Sequence, residues 1–151
     1  MRNSDAFYKK ARPIDFKLLL HDLGLKLKRA PKDDAIQDEA LLDPQERVIL
    51  ILDDDKPLSR KFFSIAHEIG HWVLHSRDQV RSRAVSYEQL DPVRKIEEQE
   101  ANAFAAELLM PYDEVASCIL WGYDIADLKG YFNVSYEFAA HRYNFVSIME
   151  L

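Results

Sequence analysis

The stretch from Phe62 to His75 constrains this chain most, because it reads as a helix that is apolar on every side but one. At about 100° per residue with His67 at zero, His71 falls at about 40°, Ser64 at about 60°, His75 at about 80° and Glu68 at about 100°. Phe62, Phe63, Ile65, Ala66, Ile69, Gly70, Trp72, Val73 and Leu74 fill the rest of the wheel. A helix that is hydrophobic nearly all round has to lie buried within a fold. An ordinary solvated stripe would carry Lys, Arg and Glu more often than three histidines. The stripe is therefore the candidate site.

His67-Glu68-Ile69-Gly70-His71 matches the pattern HExxH. Residues i and i+4 sit one above the other on a helix, about 5–6 Å apart at Cβ. Two imidazoles so placed can hold one Zn²⁺ at about 2.0–2.1 Å. Glu68 between them reaches a water rather than the metal, which suits a catalytic base. His75 continues the ladder, but at 1.5 Å rise per residue it lies about 12 Å along the axis from His67. It cannot share the ion. It reads as a residue that supports the ligands from behind or closes the helix end, where a cationic imidazole suits the dipole. The extended pattern HExxHxxGxxH fails, because Leu74 and Arg77 stand at its glycine and histidine positions.

A catalytic zinc takes three protein ligands and keeps one open position, so the third must come from another element. The run Glu97 to Leu109 is helical in pattern and stops at Met110-Pro111. With Glu98 at zero, Leu109 lies at about 20°, Asn102 at about 40°, Ala105 at about 340° and Ala101 at about 300°. Glu98 thus belongs to the apolar stripe, where a carboxylate is costly unless paired or metal-bound. The alanines beside it would allow close approach to the histidine helix. Asn102, one turn on, can orient a ligand. Glu100 and Glu107 share the opposite face, and Glu100 is the alternative ligand.

The remaining composition narrows the class. With 151 residues the chain is expected to form one domain, 1–151. A 48% hydrophobic and 30% charged content argues against disorder. The formal charge of -6 gives no basic face for direct nucleic-acid binding. Cys118 is the sole cysteine, reads as core, and excludes both an internal disulfide and a Cys-rich zinc site. Met1 to Lys17 shows no apolar run of a signal peptide. The longest aliphatic run, Val48 to Leu52, is far short of the roughly 20 residues that span a bilayer. A cytoplasmic protein with no membrane segment is expected.

Ile14, Phe16, Leu18, Leu19, Leu20 and Leu23, after Pro13, have helical spacing that stops at Gly24. Leu25 to Lys28 alternates like a short half-exposed strand, and Arg47 to Leu52 is the best strand, ending at the turn Asp53 to Pro57. Lys32 to Glu39 reads as loop. Helices are expected near 59–76, 95–110, 112–121, 124–131 and 135–148, with a polar, arginine-rich connection from Ser76 to Lys95. The layout is α+β: a small N-terminal sheet with a helical C-terminal half.

The segments Phe62 to His71 and Glu98-x-x-Ala101-Asn102-x-Phe104-Ala105-Ala106-Glu107-Leu108-Leu109-Met110-Pro111 resemble the ImmA/IrrE family of metallopeptidases. The tail Phe132-Asn133-Val134-Ser135, with Ala139-Ala140 and Arg142, resembles that family's C-terminal helices, and a strand just before the HExxH helix fits it too. The resemblance covers roughly residues 14 to 145. It implies a reduced thermolysin-like zincin core. It also implies that Glu98, three residues before the Ala-Asn pair, is the third ligand. Known members are cytoplasmic proteases that cut helix-turn-helix repressors and switch on mobile-element or stress-response genes. Some carry a helix-turn-helix domain of their own; none is expected here, so DNA contact would fall to the partner.

The expected activity is that of a zinc metallo-endopeptidase with Glu68 as base. Tyr87, Tyr112, His141 and Tyr143 are candidates to stabilise the oxyanion, although packing is the simpler role for each. The connection Arg77 to Arg94 and the surface around Tyr112 are candidates for holding the partner. Two other readings compete: a non-catalytic metal-binding or partner-recognition module, and a toxin-like member of a toxin-antitoxin pair. Structural zinc sites usually take four protein ligands and favour cysteine, which weighs against the module.

Overall fold

The computed structural model describes residues 14–31, 39–78 and 87–151. The expected helix start at Pro13, most of Met1 to Lys17 where no leader is expected, most of the Lys32 to Glu39 loop and the middle of the arginine-rich connection lie outside the described residues. The described residues divide into two compact units, Lys17–Leu108 and a second comprising residues 14–16 with Leu109–Leu151.

The first unit starts with helix α1 (Phe16–Leu23). Gly24 ends it at φ 73°, a left-handed conformation that glycine adopts without a Cβ clash. The Leu25 N–H reaches back to Leu20 O at 2.9 Å and the Gly24 N–H to His21 O at 3.0 Å, the double closure of a Schellman turn. The chain then enters β1 (Lys26–Pro31), and β2 (Ala40–Asp43) and β3 (Val48–Asp53) follow. The strand order is β1-β3-β2, with β1 parallel to β3 and β2 antiparallel to it.

Position in the sheet explains each strand's composition. Val48, Ile49, Ile51 and Leu52 are all buried, as a central strand covered on both faces requires, and so β3 is an unbroken apolar run. Lys26, Lys28 and Arg29 are exposed on the edge strand β1, where charge discourages pairing with other chains. This strand runs three residues beyond its expected end at Lys28. Strand β2 was not expected at all, because Leu41-Leu42 is too short a signal for periodicity to find.

Helix α2 (Leu58–Leu74) packs on β2 and β3. Its turn is tied by Lys61 Nζ, which donates to Leu52 O at 2.8 Å and Asp54 Oδ1 at 2.6 Å. Every residue from Ser64 to Trp72 is buried. Helix α3 (Pro92–Leu109), after a 3-10 turn at Tyr87–Gln89, crosses close to it. A Cβ on Gly70 would stand 3.1 Å from Phe104 Cβ and 3.2 Å from both Cα and O of Ala101. The two helices meet backbone to backbone because Gly70 and Ala101 leave room.

That contact yields a prediction. In an open helix, Gly→Ala stabilises by about 1 kcal/mol, whereas overpacking a filled contact costs about 1–3 kcal/mol. Ala101 offers backbone here, which cannot rotate aside. Gly70→Ala should therefore lower the melting temperature despite its better helix propensity, and Gly70→Val should lower it further. A thermal scan showing Gly70→Ala at or above wild type would mean that α3 shifts away at little cost.

The second unit is helical: α4 (Tyr112–Leu120), α5 (Ile125–Phe132) and α6 (Tyr136–Met149), with α4 and α5 against α6. Polar residues of the tail set its corners. Asp124 and Asp127 form a reciprocal capping box at α5. Asn133 closes that helix at φ 55°, and Ser135 Oγ accepts from the Phe138 N–H at 3.1 Å to start α6. Arg142 Nε donates to Met110 O at 2.9 Å. Cys118 is fully buried, as core. The architecture is α+β, and the five expected C-terminal helices fall within a few residues of their observed ends.

Candidate metal centre

Every residue of the HExxH pattern lies on α2, in the unit Lys17–Leu108, and so does the part of α3 that faces it. His67 and His71 are 1% exposed and Glu68 is 0% exposed. The two imidazoles stand edge to face with centroids 4.8 Å apart, as the i, i+4 spacing dictates. The stripe read from the wheel is thus an interior surface.

Glu98 on α3 meets both rings. Its Oε1 lies 3.2 Å from His67 Nε2 and its Oε2 lies 2.6 Å from His71 Nε2. Burial pushes the Glu98 carboxyl up, but hydrogen bonds from His67 and His71 outweigh it and hold the group well below the usual carboxylate range. Its side chain keeps 20% exposure, so it flanks the buried stripe of Ala101 and Ala105 rather than sitting at its centre. Asn102 beside it is exposed, and its Oδ1 lies 2.8 Å from His67 Nδ1. The edge of the site at Glu98 and Asn102 is therefore its solvent-facing side.

One donor atom each from His67, His71 and Glu98 all lie within 4.8 Å of one another. A tetrahedral ion with bonds of about 2.0–2.1 Å separates its donors by about 3.3 Å, so small side-chain shifts suffice to fit one. Two imidazoles and one carboxylate suit zinc or a similar borderline metal, whereas calcium and magnesium prefer all-oxygen sets. These three residues could hold a metal ion.

The other polar residues of the stripe have separate partners. Ser64 Oγ donates to Glu39 Oε2 at 3.4 Å. Glu39 also receives Lys56 Nζ and Arg60 Nη2, each at 2.6 Å. Burial raises the Glu39 carboxyl, and the hydrogen bonds from these two cations more than reverse it, leaving it below its ordinary value. Ser64 is thus a tie between α2 and the sheet, not a ligand. His75 caps α2 with extended backbone, φ -122° and ψ 172°. Its ring turns back so that Nδ1 lies 2.9 Å from His71 Nδ1.

Glu100 departs from its expected place. It is 54% exposed, yet its Oε1 lies 3.0 Å from His75 Nε2. Glu98 and Glu100 of the acidic run therefore both reach the histidine series, Glu98 directly and Glu100 through His75. The wheel missed this because it treated His75 as helical, whereas a cap residue points its side chain by its own dihedral angles.

Each of the four oxyanion candidates has its own local surroundings. Tyr87 OH accepts from Gln99 Nε2 at 2.6 Å, and Tyr112 OH donates to Glu150 Oε2 at 2.7 Å. His141 is 80% exposed beside Glu137. Tyr143 lines a small cavity of about 230 Å³ with Asp124, Ile125, Ala126 and Tyr136. Arg77, expected to help hold a partner, stacks on Trp72 with Cζ 3.6 Å from the ring centroid and donates to Trp72 O at 2.9 Å. Among the described residues, no helix is long and apolar enough to cross a membrane.

The family model of the IrrE N-terminal-like domain, Peptidase_M78, matches residues 20–144 of this chain. No curated protein matches it.

Proposed function

The chain belongs to the IrrE N-terminal-like peptidase family, and from that premise we propose that it is a cytoplasmic zinc-dependent endopeptidase whose substrate is a helix-turn-helix repressor. The observation that carries the metal reading is the convergence of His67, His71 and Glu98 from two helices, with Glu68 buried on the same stripe.

In this reading His67, His71 and Glu98 would hold the ion. Zinc, when bound there, would supply Lewis acidity and lower the pKa of water toward neutral. Glu68 accepts a proton from the attacking water as the new carbon–oxygen bond forms, and returns it to the amine nitrogen as the carbon–nitrogen bond breaks. Asn102 fixes the ring of His67 by accepting from its Nδ1–H. The backing of α2 against the sheet excludes water from the far side of the site, so the substrate approaches along the Glu98 and Asn102 edge.

The repressor as substrate rests on the family likeness and on the acidic balance of the chain, which fits cutting a DNA-binding protein better than binding DNA. The test is to incubate a helix-turn-helix repressor, sought first among the neighbouring genes, with wild-type and Glu68→Gln protein. Wild type should release a discrete fragment that disappears with chelator, while casein stays largely intact. Tight binding by both forms with no cleavage by zinc-loaded wild type would favour a non-catalytic recognition module instead.

A further inference from the structure

From the hydrogen-bond geometry behind His71 we infer that Glu100, acting through His75, is a positioning residue that holds His71 in its metal-binding orientation and tautomer. This rests on the metal reading above and extends it to a carboxylate outside the ligand set. The relay runs from His71 Nδ1 to His75 Nδ1 at 2.9 Å and from His75 Nε2 to Glu100 Oε1 at 3.0 Å. His75 is enclosed, with its side chain 5% exposed, and its own backbone N–H is tied to His71 O at 3.0 Å.

Proton counting sets the direction. A carboxylate only accepts, so His75 Nε2 carries the hydrogen that faces Glu100. With one proton per ring, His75 Nδ1 then presents a lone pair, and His71 Nδ1 must donate to it. That leaves the lone pair on His71 Nε2, the atom that faces Glu98, once a cation takes the place of the proton that hydrogen-bonds the two in the metal-free site. A neutral ring lone pair and a carboxylate directed at one point are the electrostatics of a cation site. The order is the same whichever end of the relay is read first.

The two ligand histidines are thereby unequal. His67 leans on a neutral amide oxygen of Asn102, whereas His71 leans on an imidazole that leans on a carboxylate. The charge of Glu100 raises the electron density at His71 Nε2 through the intervening ring, as acidic partners of metal-bound histidines do. The half-exposed position of Glu100 weakens this by solvent screening, so His75 should matter more than Glu100, and Glu100→Ala more than Glu100→Gln, which keeps an acceptor oxygen.

The experiment is a chelator competition for zinc and cobalt with wild type, His75→Ala, Glu100→Ala, Glu100→Gln and His67→Ala. Removing such a supporting residue typically costs about 10- to 100-fold in affinity, which is expected for His75→Ala. Glu100→Ala should lose roughly threefold to tenfold, and Glu100→Gln should recover part of that. The His71 Nδ1–H of zinc-loaded protein, followed by ¹⁵N–¹H spectroscopy, should exchange faster with solvent in His75→Ala and in Glu100→Ala. A purely structural role would move the melting temperature without changing that exchange or the cobalt spectrum. Glu100 is at the surface, so its variants keep the question open to measurement even if His75→Ala folds poorly. Wild-type affinity and exchange in both Glu100→Ala and His75→Ala, with metal lost in His67→Ala, would overturn the relay alone. A wild type that binds neither metal would overturn the metal reading and the relay together.

Discussion

Glu68→Gln protein should bind one zinc per chain as the wild type does and hydrolyse almost nothing. Glutamine copies the size and the accepting oxygen of glutamate, so a residue that is 0% exposed can be exchanged without opening a cavity. It cannot take a proton from water. Loss of a general base costs about 10²- to 10⁴-fold in rate, and here the same group also returns the proton to the leaving amine. His67→Ala and His71→Ala should fail earlier in the sequence of events, by losing the metal itself, because two ligands cannot hold what three share. Metal content by elemental analysis, set beside cleavage of the repressor, separates the two kinds of failure. If Glu68→Gln lost zinc as completely as the histidine variants, Glu68 would be a ligand and the assigned roles would be wrong.

The second large effect is expected at Glu98. Its carboxylate bridges His67 and His71 at 3.2 and 2.6 Å and brings the only negative charge among the three converging donors. Glu98→Gln keeps an oxygen donor but removes that charge, which leaves a divalent cation facing three neutral ligands. The loss of zinc affinity should exceed the about 10- to 100-fold typical of supporting residues, and activity should fall with it. Glu100→Gln, which touches only His75, should fall well below that. The check is the same chelator competition, with folded content verified by circular dichroism. A larger loss in Glu100→Gln than in Glu98→Gln would mean that the two carboxylates exchange roles when metal binds.

Much of this centre was legible before any tertiary contact was known. Periodicity within one helix is set by backbone geometry, so His67, Glu68 and His71 share a stripe wherever the helix is placed. The same reasoning singled out Glu98 on α3, because a carboxylate among Ala101, Ala105 and Leu109 needs a partner. The run Arg47 to Leu52 announced a strand from its own composition, for the same local reason.

What the tertiary structure alone decided involves residues that meet across the chain. His75 lies where helical geometry ends, so its return onto His71 depends on cap dihedrals that no wheel describes, and the reach of Glu100 to it depends on how closely α2 and α3 approach at Gly70 and Ala101. Strand β2 exists because β3 offers it an edge, since Ala40 to Asp43 is too short to announce itself. Glu39 binds Lys56, Arg60 and Ser64, and Arg77 stacks on Trp72, because packing brought them together. A repeating pattern within one element is written by neighbours a turn apart, whereas a pairing between elements is chosen by the best joint burial of both.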